Sequence, residues 1–429
     1  THADPAGRIH PLEPHVVGHR LLLAFIGQSA GEGQRCPDLD LRHGGSGMTG
    51  TMGLRGDNAL PLAQSLGLAA TGLEGAWPLA VKGPLRWQDK SVGFGPFDGL
   101  VAGRKMAGEL VLMPERNRIE GRLGLPALDL SDLMALMTGP VPPATTGSFW
   151  PSARFADVEG QGVDLSVGLA LNQFSLGREL ALTGAKVQVQ REGETLSLQL
   201  QEGLLGTGQI TGQMTIRRDG GRLGTTVRLT GNDLVLADLF GVQSGFTGQI
   251  GFVLDGGSSG SSIAELVSRS SGAGLLTWRQ GQISGMDPAA IGRVVASIRA
   301  MPDLQRLRAE MLRELQQAPF TFEKVDLPLS LSDGVLRMSS VAIAHETAPL
   351  QMSGLFDMRA LGVEARLSMI AKPPQGWKGP SPDVQILLTR PAEGTLQRDV
   401  NVNSLFALLT TRAVEIETDR LIEEQQKKN

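Results

Sequence analysis

Apolar and polar residues alternate most cleanly between Gly162 and Phe252. Leu196, Leu198 and Leu200 alternate with Ser197, Gln199 and Gln201, and Ile210, Met214 and Ile216 with Thr211, Gln213 and Thr215. Successive side chains of a strand point to opposite faces, so a period of two predicts strands with one oily and one wet face. Val187 with Val189, and Val227 with Leu229, carry the pattern to the neighbouring strands, while Arg191-Glu192-Gly193-Glu194 and Arg218-Asp219-Gly220-Gly221 read as hairpin turns. The expectation is an antiparallel meander.

A longer regularity overlies this one. Glu202-Gly203-Leu204-Leu205 and its β-type run to Ile216 repeat the order of Asp98-Gly99-Leu100-Val101 and its run to Leu112, and Asp333-Gly334-Val335-Leu336 opens a looser third copy. A recurring strand-turn-strand unit points to an extended sheet of modules rather than a domain with one catalytic centre. The fold class expected is therefore mainly β: an extended, curled, trough-like antiparallel sheet of repeated modules, with a proline-broken helical pair and a C-terminal helix.

The remaining patterns place the boundaries. Residues 1–70 are poorly patterned. A first β module covers 71–138, with runs at Val92 to Phe97, Met106 to Met113 and Ile119 to Leu125 and a helical turn near Leu130; a proline-rich linker follows over 139–161. A second β module spans 162–286. Within it, Gly256 to Ser262 reads as a flexible stretch before a short helix at Ile263 to Val267. Asp287-Pro288 starts a helical insertion over 287–318, with apolar stripes Ile291, Val294, Val295, Ile298 and, after Pro302, Leu304, Leu307, Met311, Leu315. A third β module covers 319–390, and residues 391–429 close the chain with a helix from Ser404 to Gln426.

Composition removes several function classes. The 40 basic and 44 acidic residues give a net charge of −4, with no basic tail, so nucleic acid is not an expected partner. Aromatic residues are 4% with no Tyr, which removes most side chains that stack on sugars or bases. A single cysteine, Cys36, allows no internal disulfide. The chain begins at Thr1, without Met or signal peptide, and its early apolar run, Leu21 to Ile26, is far short of the roughly 20 residues of a bilayer span. It is read as a piece of a longer protein or a processed chain.

Motifs with chemistry are weak. Gly27-Gln28-Ser29-Ala30-Gly31 matches a nucleophile elbow, but the residues after it make a poor helix start. Gly45-Ser46-Gly47-Met48-Thr49-Gly50 matches a dinucleotide fingerprint, with no strand expected before it and no helix able to run through Gly53 and Gly56. Cys36 with His43, and His10, His15 and His19, lack metal-site spacing. The glycine-serine stretch lacks the lysine of a phosphate loop. Arg299, Arg306, Arg308 and Arg313 read as a solvated helix face, offset by Glu310 and Glu314. No nucleophile, base and orienting group converge, so an enzyme is not expected, nor is any cofactor or metal.

An apolar sheet face has two outcomes: a dry core, or an open trough that takes elongated apolar ligands. Patterning alone favours the core, because most alternating sheets simply pack. A trough would hold an alkyl chain at roughly 0.8 kcal/mol per methylene and would leave no motif. The candidate lipid-facing residues are Val187, Val189, Leu196, Leu198, Leu200, Ile210, Met214, Ile216, Val227 and Leu229.

From about Val163 to Gln426 the sequence resembles the AsmA-like C-terminal region of bacterial envelope proteins. The resemblance rests on Gly274-Leu275-Leu276 through Gly281-Gln282-Ile283-Ser284-Gly285-Met286-Asp287, on Phe320-Thr321-Phe322 leading to Leu331-Ser332-Asp333-Gly334-Val335-Leu336, and on Met352-Ser353-Gly354-Leu355-Phe356-Asp357-Met358. The ending, Val384 to Pro391 with Arg398-Asp399-Val400, Leu405 to Leu409 and Arg412 to Glu415, is similar too. It implies a non-enzymatic periplasmic role in outer-membrane biogenesis. The implied partners are phospholipid, carried between inner and outer membranes, and a membrane reached through an inner-membrane helix that this chain lacks. One rival is an assembly factor that pairs sheet edges with outer-membrane proteins; another is a structural β-repeat with a dry core.

Overall fold

The computed structural model describes residues 2–3, 9–10, 38–44, 47–57, 78–88, 90–101, 103–139, 141–145, 147–155, 163–177, 180–240, 244–297, 303–373, 380–391 and 394–428. The protein is mainly β, with strands over 59% of the chain. Two compact units divide it. The first comprises Thr1–Pro142, Ala153–Gly203 and Gln213–Leu223, and the second Pro143–Ser152, Leu204–Gly212 and Gly224–Asn429.

In the first unit β1 (His2–Ala3) and β2 (Ile9–His10) form a minimal ladder. An antiparallel meander then runs through β3 (Asp38–Gly44), β4 (Gly47–Gly56), β5 (Leu79–Gln88), β6 (Ser91–Val101), β7 (Arg104–Met113) and β8 (Arg118–Asp129). Asp129 and Asp132 form a capping box that starts α1 (Leu130–Thr138). The chain returns as β9 (Asp164–Ser175), which pairs with β8 in parallel, and β10 (Ala181–Glu192) closes a hairpin on β9. This corrects the expectation of a wholly antiparallel sheet. Parallel neighbours need a crossover, and 130–163 supplies it; alternation within a strand carries no information about which strand lies beside it.

Three further strands, β11 (Thr195–Leu205), β12 (Gly208–Asp219) and β13 (Arg222–Val235), contribute residues to both units. The predicted turns at 191–194 and 218–221 sit between strands, with Gly193 and Gly220 at positive φ.

The second unit holds α2 (Leu236–Phe240), β14 (Phe246–Gly260), α3 (Ile263–Ser268), β15 (Ser271–Ile283), α4 (Ala290–Ser297) and α5 (Leu304–Leu315). It continues with β16 (Phe320–Ser332), β17 (Val335–Ile343), β18 (Leu350–Asp357), β19 (Gly362–Ile370), β20 (Asp383–Arg390), β21 (Gln397–Asn401) and α6 (Asn403–Lys428). From β14 to β21 each strand pairs antiparallel with the next. The crossover residues 143–152 belong here, where Trp150 Nε1 donates to Met358 O at 2.7 Å and Ala264 N to Pro151 O at 2.9 Å.

Other expectations are corrected. Gly256 to Gly260 is strand, not flexible chain: Gly256 and Gly257 pair with Gly272 and Ser271, and Ser262 caps α3. Gly47 to Gly50 does follow a strand, but it opens the next strand of a hairpin, not a helix. Asp333-Gly334 is itself the β16–β17 turn, whereas Asp98-Gly99 and Glu202-Gly203 lie within strands, so the third repeat copy is out of phase. Ser29, Cys36, His15, His19 and Leu21 to Ile26 lie outside the described residues.

A candidate apolar ligand face

Cross-strand register defines the apolar face of the first unit. Leu165, Val167, Leu169 and Leu171 of β9 lie opposite Arg191, Val189, Val187 and Ala185 of β10, and all eight are buried. Across the parallel pairing, Ile119, Leu123 and Leu125 of β8 stand beside Leu165, Leu169 and Leu171 but are only half-buried, as are Leu110 and Leu112 of β7. The face passes from packed to partly open within three strands.

Two buried arginines, Arg191 and Arg218, end their strands, a feature the hairpin reading did not anticipate. Arg191 Nε donates to Gly193 O at 3.4 Å and Arg218 Nε to Gly220 O at 3.1 Å, and Arg218 Nη1 also donates to Met137 O at the end of α1. Burial pulls the Arg191 guanidinium below its ordinary pKa, though it remains a cation. Each arginine closes its own turn, and Arg218 also takes a carbonyl that the helix end leaves without a partner.

The ten predicted residues divide between the units. Val187, Val189, Leu196, Leu198, Leu200, Met214 and Ile216 lie in the first; Ile210, Val227 and Leu229 lie in the second. Seven are buried, from Leu196 and Ile216 at 0% exposure to Leu200 at 8%. Met214, Val227 and Leu229 are half-buried. Alternation found strand residues with a dry side, but it does not distinguish a packed side from an open one.

The second unit shows that distinction along single strands. On β18 and β19 the register places Leu350 opposite Met369, Met352 opposite Leu367, Gly354 opposite Ala365 and Phe356 opposite Val363. Exposure rises along that row: Leu350 and Met369 are at 0%, Gly354 and Phe356 are half-buried, and Val363 is 37% exposed. On β16, Phe320, Val325 and Leu327 are buried, while Leu329 and Leu331 are half-buried; Leu336 and Met338 of β17 match them. These last residues belong to the face and were missed, although Leu327, Leu329 and Leu331 alternate as clearly as the predicted set.

The helices of this unit bury their own apolar stripes. Ile291 and Val294 of α4, Leu307, Met311 and Leu315 of α5, and Leu405 and Leu409 of α6 are all buried. The expected start at Asp287 is present: its Oδ1 accepts from Ala289 N at 2.8 Å. Asp303 caps α5 by accepting from Arg306 N at 2.8 Å. Arg293 ties the two helices, bonding Asp287 and Glu314 at 2.7 Å each, and its hydrogen bond, helped by its charge, holds the Glu314 carboxyl below the usual range. Arg308 pairs with Asp399, and Arg313 lies near Glu310 and Glu314, as the offsetting acids suggested. Arg398 donates to Ser284 O and Gly285 O and bridges to the turn before α4.

The opposite faces of the strands are wet. Exposed pairs such as Glu109–Arg122 and Lys186–Glu202, both at 2.6 Å, keep them solvated and add little stability. A shallow depression of about 880 Å³ on that face of the first unit is rimmed by Asp98, Lys105 and Lys186 and floored by Ala107, Gly124 and Ala170. Among the described residues no three His, Cys, Asp or Glu side chains gather as metal donors, and no helix is long and apolar enough to cross a membrane. No protein-family model, curated protein or solved structure matches this chain.

Proposed function

We propose that the chain is a non-enzymatic lipid carrier that lays acyl chains of phospholipids against the open part of its apolar sheet faces. The observation that carries this reading is the exposure gradient of the second unit, from the fully buried Leu350 and Met369 to Phe356 and Val363. A face built only as a core has no use for half-exposed Leu329, Leu331, Leu336, Met338 and Phe356 in one contiguous row. Ten methylenes laid on it contribute roughly 8 kcal/mol before the costs of ordering and association. No polar anchor is required, in keeping with the absence of a polar motif. The packed set around Leu196 and Ile216 serves as core, and the open row serves as the ligand face.

With the resemblance to the AsmA-like region, the role becomes phospholipid transfer between inner and outer membranes during outer-membrane biogenesis, in the periplasm and with an inner-membrane tether. The test is mass spectrometry of organic extracts of the chain, expressed into a bacterial periplasm and washed free of detergent. Phospholipid at a stoichiometric level supports the proposal. A folded, lipid-free chain refutes it and leaves a scaffold.

A further inference from the structure

The ladder between β16 and β17 is incomplete. It begins at the turn with Ser332 opposite Val335 and ends at Leu329 opposite Met338. Both strands continue beyond it. β16 stays paired to β15 down to Phe320 opposite Ile283, and β17 stays paired to β18 up to Ile343 opposite Leu350. Between them, Phe320 to Pro328 and Ser339 to Ile343 share no ladder pair. Two local causes are visible. Pro328, the first residue past the last pair, has no N–H to offer, and the β17 register shifts between Met338 and Val341. The far end is bridged by the Phe320 and His345 rings, with centroids 5.2 Å apart. The result is a seam on the order of 25 Å long at about 3.3 Å per residue, without ladder hydrogen bonds across it.

The seam has two different sides. Val325, Leu327 and Ile343 on the apolar face are buried, so side chains keep it shut. Glu323, Lys324 and Asp326 are exposed on the polar face, and charges along an open edge discourage a further strand from pairing there. An edge that rejects strands yet is flanked inside by apolar side chains fits an alkyl chain, not a peptide. Towards Phe320 the residues of this face, Phe320, Ile343 and Leu350, are fully packed at 0–4% exposure, so the half-buried row at Leu329 and Leu331 is its accessible part.

We infer that this seam is a lateral gate through which acyl chains pass between the apolar face of the second unit and its surroundings, an inference that rests on the lipid-carrier reading. The experiment uses the full chain with Cys36→Ser and two cysteine pairs: Asp326→Cys with Ser340→Cys across the seam, and Ser330→Cys with Arg337→Cys within the existing ladder. Each pair is stapled with a short bifunctional thiol reagent. Transfer of a fluorescent phosphatidylethanolamine is followed between vesicles of phosphatidylethanolamine and phosphatidylglycerol. The expected result is transfer at least tenfold slower with the seam stapled than with the ladder stapled, with equal bound lipid in both. Equal transfer rates would overturn the gate while leaving the carrier intact. Absence of lipid from every variant would remove the carrier and the gate together. Amide hydrogen exchange reads the seam without lipid: residues 321–327 should exchange faster than their β15 partners, and equal protection would overturn it.

Discussion

Leu350 and Phe356 share one strand and one face, and opposite outcomes are expected from replacing them. Leu350 is at 0% exposure, opposite Met369 and Ile343. Truncation to alanine removes its packing and leaves a cavity, which costs about 3–5 kcal/mol. With a slope of about 1–3 kcal/mol per molar urea, the midpoint should fall by roughly 1–5 M. Phe356 is half-buried at the open end, and the neighbouring Val363 is 37% exposed. An aspartate there keeps its hydration, so Phe356→Asp should cost less than about 2 kcal/mol. It also places a charge where alkyl chains lie, and burying that charge under a lipid tail is prohibitive. The assay pairs urea unfolding, followed by Trp fluorescence, with phospholipid counted in extracts of folded protein. Leu350→Ala should melt early and keep its lipid, while Phe356→Asp should hold its fold and lose lipid. If Phe356→Asp unfolds as readily as Leu350→Ala, the row is core and the reasoning fails; if it stays folded and full of lipid, the ligand lies elsewhere.

Asp357 supplies a pH test: its hydrogen bonds from Arg359, at 2.9 and 2.8 Å, hold its carboxyl at about 2 against an ordinary value near 4. A depressed pKa gives stability that is full above about pH 4 and disappears as pH falls through 2, so the stability gap between the native chain and Asp357→Asn should close over that window in urea titrations at stepped pH. Arg398→Ala should cost about 1 kcal/mol, because Ser284 O and Gly285 O lose a donor from a side chain that is itself largely exposed; a midpoint unchanged within error would show that water replaces it. In Gly281→Ala the new methyl would overlap the Phe322 ring, which packs edge-on to Trp278 with centroids 4.9 Å apart. A displaced ring should change Trp fluorescence in the folded state, and an unaltered spectrum would contradict that packing.

What the sequence made legible was local. Alternation at Leu196 to Leu200 and the cap at Asp287 specify strands and a helix start, because backbone direction and orphan N–H groups act within a few residues. Partner choice is not local, and so the parallel β8–β9 pair and the seam past Pro328 were not visible. Composition misled at Gly256 to Gly260, where glycines that suggest a linker meet Gly272 at a close strand approach. β21, a short strand with only Val400 buried, lacked enough apolar pattern to be read. The open ligand row was hidden for another reason. Leu331 and Leu196 have the same side chain in the same alternation, yet Leu196 is at 0% exposure and Leu331 is half-buried, because what covers a strand face comes from distant parts of the chain.

The parallel join of β8 to β9 also orders events during synthesis. Each hairpin can zip as soon as its second strand emerges, but β8 waits for its other neighbour until Leu130 to Val163 has been made, an interval on the order of seconds at about 5–20 residues per second. Through that interval the nascent chain carries Ile119, Leu123 and Leu125 beside an uncovered strand edge, since the residues that will flank them, Leu165, Leu169 and Leu171, do not yet exist. Slow translation across the proline-rich crossover would lengthen this exposure, so synonymous slow codons between 139 and 163 should raise aggregation of the nascent chain without altering the finished fold.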